Sequence, residues 1–347
     1  MTLKEMYSLK GKVYWNGDFL DGTLLSNGKG VVFEESSNAS TTKGTILPVP
    51  VNSHTHIGDS FINSEPTGDL PSIVGPGGFK ERELANVSDK IVMNGMRRTM
   101  EYMIRSASPV FIDFRESGVK GVELIKKSTP SSVFPVILSR GNTREETESA
   151  LGVSNGLGIS AERDADHSLI SFSSRLAKER GKIFSIHASE WVREDMDYVL
   201  SLNPDFIVHS IEADSNDLDR ISRMKIPIAV TPRSNYFYGK KPDYSKFLDH
   251  EIDMMLGTDN VMVSTPDIYA EMDFIYKVQK TFNRISPEQI VKMVFLNPHR
   301  HLKKFLANVN ALFLHFPEKS LSHYEIVTKA SLFDKEIVKI CGAEKLQ

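Results

Sequence analysis

Ile46-Leu47-Pro48-Val49-Pro50-Val51-Asn52-Ser53-His54-Thr55-His56 is the stretch from which the rest of the chain can be read. An apolar run of strand length, 46–51, closes on two histidines two positions apart. On a strand, residues i and i+2 point to the same face about 6.6–6.8 Å apart. Two imidazoles so placed can converge on one ion at Zn–N distances of about 2.0–2.1 Å. Taken alone, His-x-His is a common pair at a polar strand end, so the reading depends on what surrounds it. The same spacing at His299-Arg300-His301 falls in a helical pattern, where i and i+2 diverge around the axis, and reads as surface chemistry.

Outward from this stretch, apolar runs alternate with longer amphipathic segments. The runs are 46–51, 110–114, 133–138, a weaker 156–159, 183–186, 206–208, 226–230 and 252–256. Helical periodicity falls between them, over 90–104, 119–127, 161–180 and 217–224. Nearly continuous apolar strands between helices indicate a parallel sheet covered on both faces. Eight of them in this length fit the ~250-residue (β/α)₈ barrel better than an open doubly wound sheet. The fold class expected is therefore α/β.

The ends of the chain read differently. Short β-type runs at 12–15, 23–25 and 30–33 are punctuated by Asn16-Gly17 and Asn27-Gly28, which favour hairpins because both residues accept φ > 0. A polar stretch, 34–44, then leads into the barrel pattern. Past the barrel, Ser286-Pro287-Glu288-Gln289 has the form of a capped helix start. Strand-like segments return at 312–316, 324–328 and 336–340. Residues 45–305 are thus expected to form the barrel, with 1–44 and 306–347 pairing into one small β domain.

Composition narrows the function. The 347 residues carry 42 Lys+Arg against 45 Asp+Glu, for a net charge of -3, so neither nucleic acid nor an acidic membrane surface is an expected partner. The single cysteine, Cys341, cannot make an intrachain disulfide and points to a reducing, cytoplasmic setting. No apolar run approaches the ~18 residues of a membrane span, and no secretory signal is visible. The expected partner is a small-molecule substrate, and composition leaves a homo-oligomer open.

The chemistry lies at the strand ends. His187 closes the fifth run, His209 the sixth, and Gly257-Thr258-Asp259 the eighth. All strand C-termini of a barrel open onto one face, where active sites are built. Four histidines and an aspartate from four strands therefore converge, which is hard to explain as a set of structural side chains. Glu190, three residues after His187, is placed to reach back over the barrel mouth as a proton shuttle.

In that order and at those strand ends, His54-x-His56, His187-x-x-Glu190, His209 and Gly257-Thr258-Asp259 resemble the amidohydrolase superfamily, in its cytosine-deaminase and chlorohydrolase-like branch. Pro232-Arg233-Ser234-Asn235 is also similar to a segment of that branch. The resemblance covers nearly the whole chain and implies a small β-sandwich built from both termini beside a metal-bearing barrel. It implies that His54, His56, His187 and Asp259 hold one divalent ion, with zinc first and iron, manganese or nickel accepting similar ligands. It implies that Glu190, His209 and Asp259 are catalytic and that Arg233 and Asn235 face the substrate. The lysine that bridges two metals on strand four of dinuclear members is missing from 156–159, which indicates a mononuclear site. Asp259-Asn260 stands where adenosine deaminases carry paired aspartates. The activity implied is hydrolytic deamination of a nucleobase, nucleoside or related N-heterocycle. A chlorohydrolase or cyclic amidase of the same fold would use the same ligands. The long segment 58–80 is expected to cover the pocket.

Overall fold

Eight parallel strands close the barrel, and the last of them is broken in two to do so. A computed structural model describes residues 3–36, 44–282 and 284–341. Its barrel strands are β1 (Val51–His56), β2 (Val110–Arg115), β3 (Phe134–Ser139), β4 (Gly156–Ile159), β5 (Ile183–Ala188), β6 (Phe206–His209), β7 (Ile228–Val230) and β8. Strand β8 comprises Met254–Leu256, parallel to β7, and Asp259–Asn260, parallel to β1. Gly257 sits at the break, where an added Cβ would lie 2.7 Å from His54 Cβ, so only glycine lets the two backbones approach. The Thr258 N–H then donates to the His54 carbonyl at 3.0 Å, and Asn52 Nδ2 donates to Thr258 Oγ1 at 2.8 Å.

The apolar run that opened the reading is in fact two strands. Thr45–Pro48 pairs with Leu312–Phe316 and Ser8–Trp15, in the sheet built from both termini, and β1 begins only at Val51. Prolines on either side of Val49 explain the break, since Pro50 has no N–H to continue a ladder. Val49 itself donates to the Leu312 carbonyl at 3.0 Å and accepts from His299 Nε2 at 2.8 Å. His299 is thus a half-buried link between barrel and terminal sheet rather than surface chemistry.

The terminal sheet has seven strands in the order Lys4–Met6, Glu336–Ile340, Leu312–Phe316, Thr45–Pro48, Ser8–Trp15, Asp18–Ser26 and Val31–Glu35. Asn16 and Gly17, at φ 53° and 103°, form the tight turn of its first hairpin, as expected. Side-chain alternation gives the sheet two faces. Leu9, Val13, Ile46, Phe313 and Val338 pack with each other, whereas Tyr14, Leu47, Leu314 and Ile337 join the barrel core. Residues 37–43 of the expected polar connection, and 342–347 of the expected terminal domain, lie outside the described residues.

Two further expectations change. The 324–328 segment is not a strand but part of the helix His323–Lys329, started by a reciprocal cap between Ser322 and Glu325. The 161–180 helix begins only at His167, capped by Asp166, after a short 3₁₀ turn. The cap at Ser286 and Gln289 forms as read. On the outside of β2 and β3, the helices Asp89–Arg105 and Gly118–Ser128 bury Val92, Met96, Met100, Val122 and Ile125, spaced for one helical face. No helix among the described residues is long and apolar enough to cross a membrane.

Candidate metal centre

At the C-terminal face of the barrel, three imidazoles and one carboxylate turn their donor atoms toward a common point. His54 Nε2 lies 3.2 Å from His187 Nε2 and 3.3 Å from Asp259 Oδ1, and His56 Nε2 lies 3.6 Å from the same oxygen. Two ligands at about 2.0–2.1 Å from one tetrahedral ion are about 3.3–3.4 Å apart, so the donor set fits a divalent cation. His209 belongs to the same cluster through His54 and Asp259. Burial foremost pushes the His209 pKa down to about 3 and that of His56 to about 4, while His187 is held well below the ordinary histidine range for the same reason. Neutral imidazoles are the form that binds metal.

The surroundings fix which nitrogen points inward. His187 Nδ1 donates to the Ile159 carbonyl at 2.8 Å, leaving Nε2 free. His56 Nδ1 is 3.0 Å from Glu116 Oε1, the carboxylate–imidazole pairing typical of metal ligands. Glu116 is itself held by Arg115, at the end of β2, and by Lys80 Nζ at 2.5 Å. Burial opposes its ionisation, but Lys80 and Arg115 hold its carboxyl well below the usual range. His54 Nδ1 alone is buried without a protein partner. Phe114 closes the floor, its ring 4.5 Å from that of His54 and 4.8 Å from that of His187.

Backbone strain aims two of these groups. His209, the last residue of β6, and Asp259, the first of the second part of β8, sit at φ 73° and 61°, in the left-handed region that non-glycine residues rarely occupy. Asp259 Oδ2 accepts from Ser234 Oγ at 2.6 Å, which leaves Oδ1 for the histidines. Against the effect of burial, the hydrogen bond and charge of His54 keep the Asp259 carboxyl well below its ordinary value.

Glu190 stands across this cluster, its Oε2 3.2 Å from His209 Nε2 and its Oε1 3.3 Å from Asn235 Nδ2. Burial first, then the charges of Asp259 and Glu194, push its pKa well above the ordinary glutamate value. Its environment thus favours the protonated form, close to the metal ligands. The cavity above has a volume of about 260 Å³, small-molecule scale and slightly under the ~300–1,000 Å³ common for ligand pockets. From the long 58–80 segment, Leu70, Pro71, Val74 and Lys80 line that cavity. Leu70 and Ile73 pack on Tyr238, with Trp191 beside them.

Sequence reading placed His54, His56, His187, Glu190, His209 and Asp259 at one site, and the structure brings these six together. It puts the two expected substrate contacts elsewhere. Asn235 is buried, held by Tyr244 Oη at 2.8 Å, and touches Glu190 instead. Arg233 pairs with the fully buried Glu271 and donates from Nη2 to the Thr265 carbonyl at 2.7 Å. Neither is among the residues lining the cavity. Arg233→Met is expected to destabilise the fold by about 3–5 kcal/mol, because it strands a buried carboxylate. Burial already raises the Glu271 pKa, and without Arg233 it rises further. The penalty is then largest above that folded-state pKa and shrinks as pH falls toward the unfolded value of ~4.3. Thermal melts of the variant at several pH values check both the size and the sign.

The groups missed by sequence reading are the ones behind the cluster. Asp113, Arg115 and Glu116 form an ion-pair group at the end of β2; Glu116 in addition holds His56, and Asp113 accepts from the Ile57 N–H at 2.7 Å. Lys80 carried no signal beyond its place in a long loop.

A family model described as amidohydrolase family matches residues 45–305. The chain is 32% identical to an uncharacterized protein of Methanocaldococcus jannaschii, over 95% of this chain and 93% of that one. It is 35% identical to a protein of Archaeoglobus fulgidus named "putative aminohydrolase", over 70% of this chain and 72% of that one. Among solved structures, a zinc-bound adenosine deaminase of Xanthomonas campestris superposes with a TM-score of 0.75 at 11% identity, covering 98% and 94% of the two chains. A zinc complex of the atrazine chlorohydrolase of Arthrobacter aurescens superposes at 0.74 and 11% identity, covering 93% and 91%. At that identity the superpositions establish the shared fold.

Proposed function

This chain belongs to the amidohydrolase family of metal-dependent hydrolases, and from that premise we propose that it deaminates a nucleobase, nucleoside or related N-heterocycle by hydrolysis. The observation that carries the reading is Glu190, a buried carboxyl 3.2 Å from His209 Nε2 and facing the donor cluster, its pKa pushed well above the ordinary glutamate value by burial. A relative named "putative aminohydrolase" and a fold neighbour named adenosine deaminase support the same reading.

His54, His56, His187 and Asp259 are assigned as the holders of one divalent ion per chain, zinc in the first instance. Bound there, such an ion supplies a nucleophilic water at neutral pH, since coordination lowers the pKa of water from 15.7 to about 7. With Oδ1 turned to the ion, Asp259 would accept the proton of that water through Oδ2, the oxygen beside Ser234 Oγ. His209 orients the nucleophile toward the ring carbon and donates from Nε2 to the oxygen as the carbon becomes tetrahedral. Glu190 would protonate the neighbouring ring nitrogen, take up the proton of the hydroxyl on the tetrahedral carbon and pass it to the amine, which leaves as ammonia, and the proton held on Asp259 would restore the acid. Asn235 and Tyr244 hold Glu190 in place for these transfers. Chloride departs as an anion and needs no such donor, so Glu190 favours an amine over a halide as leaving group.

Ammonia and chloride release measured together across purines, pyrimidines, pterins and triazines tests this. The reading expects ammonia from at least one heterocyclic amine, and chloride release without ammonia contradicts it. Lys80→Met is expected to weaken zinc binding about 10–100-fold, the usual effect of losing a group that supports a ligand from behind. Glu116 would keep only Arg115 as counter-charge and hold His56 less firmly. Competition with a chromophoric chelator reads the change, and unaltered affinity would separate Lys80 from the metal.

A further inference from the structure

Three cations line the cavity, and two of them are already neutralised. Lys80 Nζ pairs with Glu116 at 2.5 Å, and Arg163 Nε pairs with Glu194 at 2.9 Å. Arg140, a half-buried residue, has no such partner: among the described residues its guanidinium meets neither a carboxylate nor another acceptor. It follows β3 directly, beside Ser160 and Ala161 at the end of β4, on the wall of the same cavity. The next residue, Gly141, packs so close to Thr147 N that an added Cβ would lie 2.4 Å away. The nearby Asp164 does not neutralise it, as its carboxylate accepts from the Ala161 N–H at 3.1 Å and forms no ion pair with Arg140. A charge withdrawn from water is normally paired, and a planar guanidinium is shaped for two oxygens of one anion.

We infer that Arg140 binds an anionic oxygen group of the substrate, a phosphate or a carboxylate attached to the heterocycle whose amine faces Glu190. The inference rests on the deaminase reading for the chemistry at the other end of the cavity. It adds that the substrate is charged, although the protein's net charge is only -3. The amidine end lies over His187, Glu190 and His209, and the anionic end lies toward β3. Tyr238, whose buried hydroxyl has no partner, lies on the cavity wall between the covering segment and the ligands.

The test compares zinc-loaded parent, Arg140→Gln and Arg140→Lys with paired probes: adenosine 5′-monophosphate against adenosine, and 5-carboxycytosine against cytosine. Binding is read from Trp191 on the cavity wall, against the constant signal of Trp15 in the terminal sheet. Turnover is read separately as ammonia. The parent should bind one anionic probe about tenfold or more tightly than its neutral partner, the scale of one charge-assisted contact. Arg140→Gln should remove that preference through KM, with kcat within about threefold, and Arg140→Lys should keep part of it. The responsive pair tells phosphate from carboxylate. Equal affinity for charged and neutral probes in the parent, an unchanged preference in Arg140→Gln, or no response to any probe overturns the inference. Arg140-dependent binding without ammonia from any probe would leave the anion site standing and count against the deaminase reading alone.

Discussion

A Glu190→Gln protein is expected to bind zinc as tightly as the parent and to turn over about 10²–10⁴-fold more slowly, roughly 3–5 kcal/mol of barrier. The substitution keeps shape and polarity, so the contacts with His209 and Asn235 survive, and none of the proposed metal donors is touched. What is lost is the proton. Burial and the charges of Asp259 and Glu194 raise the Glu190 pKa, so the parent keeps this proton to higher pH than an ordinary glutamate and loses it as pH climbs through the raised value. The parent profile should therefore fall on its alkaline side, and the residual rate of the variant should lack that limb. Metal analysis beside initial rates reads the outcome. Near-parental turnover at full zinc occupancy would remove Glu190 from the chemistry.

His187→Ala should lose the metal itself. The side chain supplies one of three imidazole donors and sits partly exposed in the cavity, so its removal leaves the core packing intact. Zinc content should drop from about one per chain to a small fraction, with activity at background. A ligand that binds only the folded state raises stability by about 2.7 kcal/mol at 100 times its Kd. Added zinc should thus raise the melting temperature of the metal-free parent and leave that of His187→Ala unmoved, while the two metal-free proteins melt together. A variant that retains one zinc per chain would place the ion elsewhere.

Much of this site was legible because barrel topology converts strand ends into neighbours. Once eight apolar runs were in place, His54, His187, His209 and Asp259 had to meet at one face. Other features were not settled by the local sequence. The split of 46–51 into two sheets depends on which partner each half finds, and period-two alternation is the same in both. The helix at His323–Lys329 was readable in its Ser322–Glu325 cap, but Tyr324, Ile326 and Val327 favour strands when propensity is weighed alone. Lys80 reaches Glu116 across 36 positions of sequence, and the carboxylate that engages Arg233 is 38 positions away, so neither pairing follows from spacing. Positive φ at His209 and Asp259 is likewise imposed by the closed barrel, against local preference.

The most direct test is ammonia release from one protein sample in three states: zinc-loaded, stripped by a chelator, and reloaded. With a panel of heterocyclic amines, the loaded and reloaded samples should release ammonia from the same compound, and the stripped sample should release none. Ammonia release that persists after the metal is gone, or a sample holding one zinc per chain that releases none from any compound, would contradict the assignment.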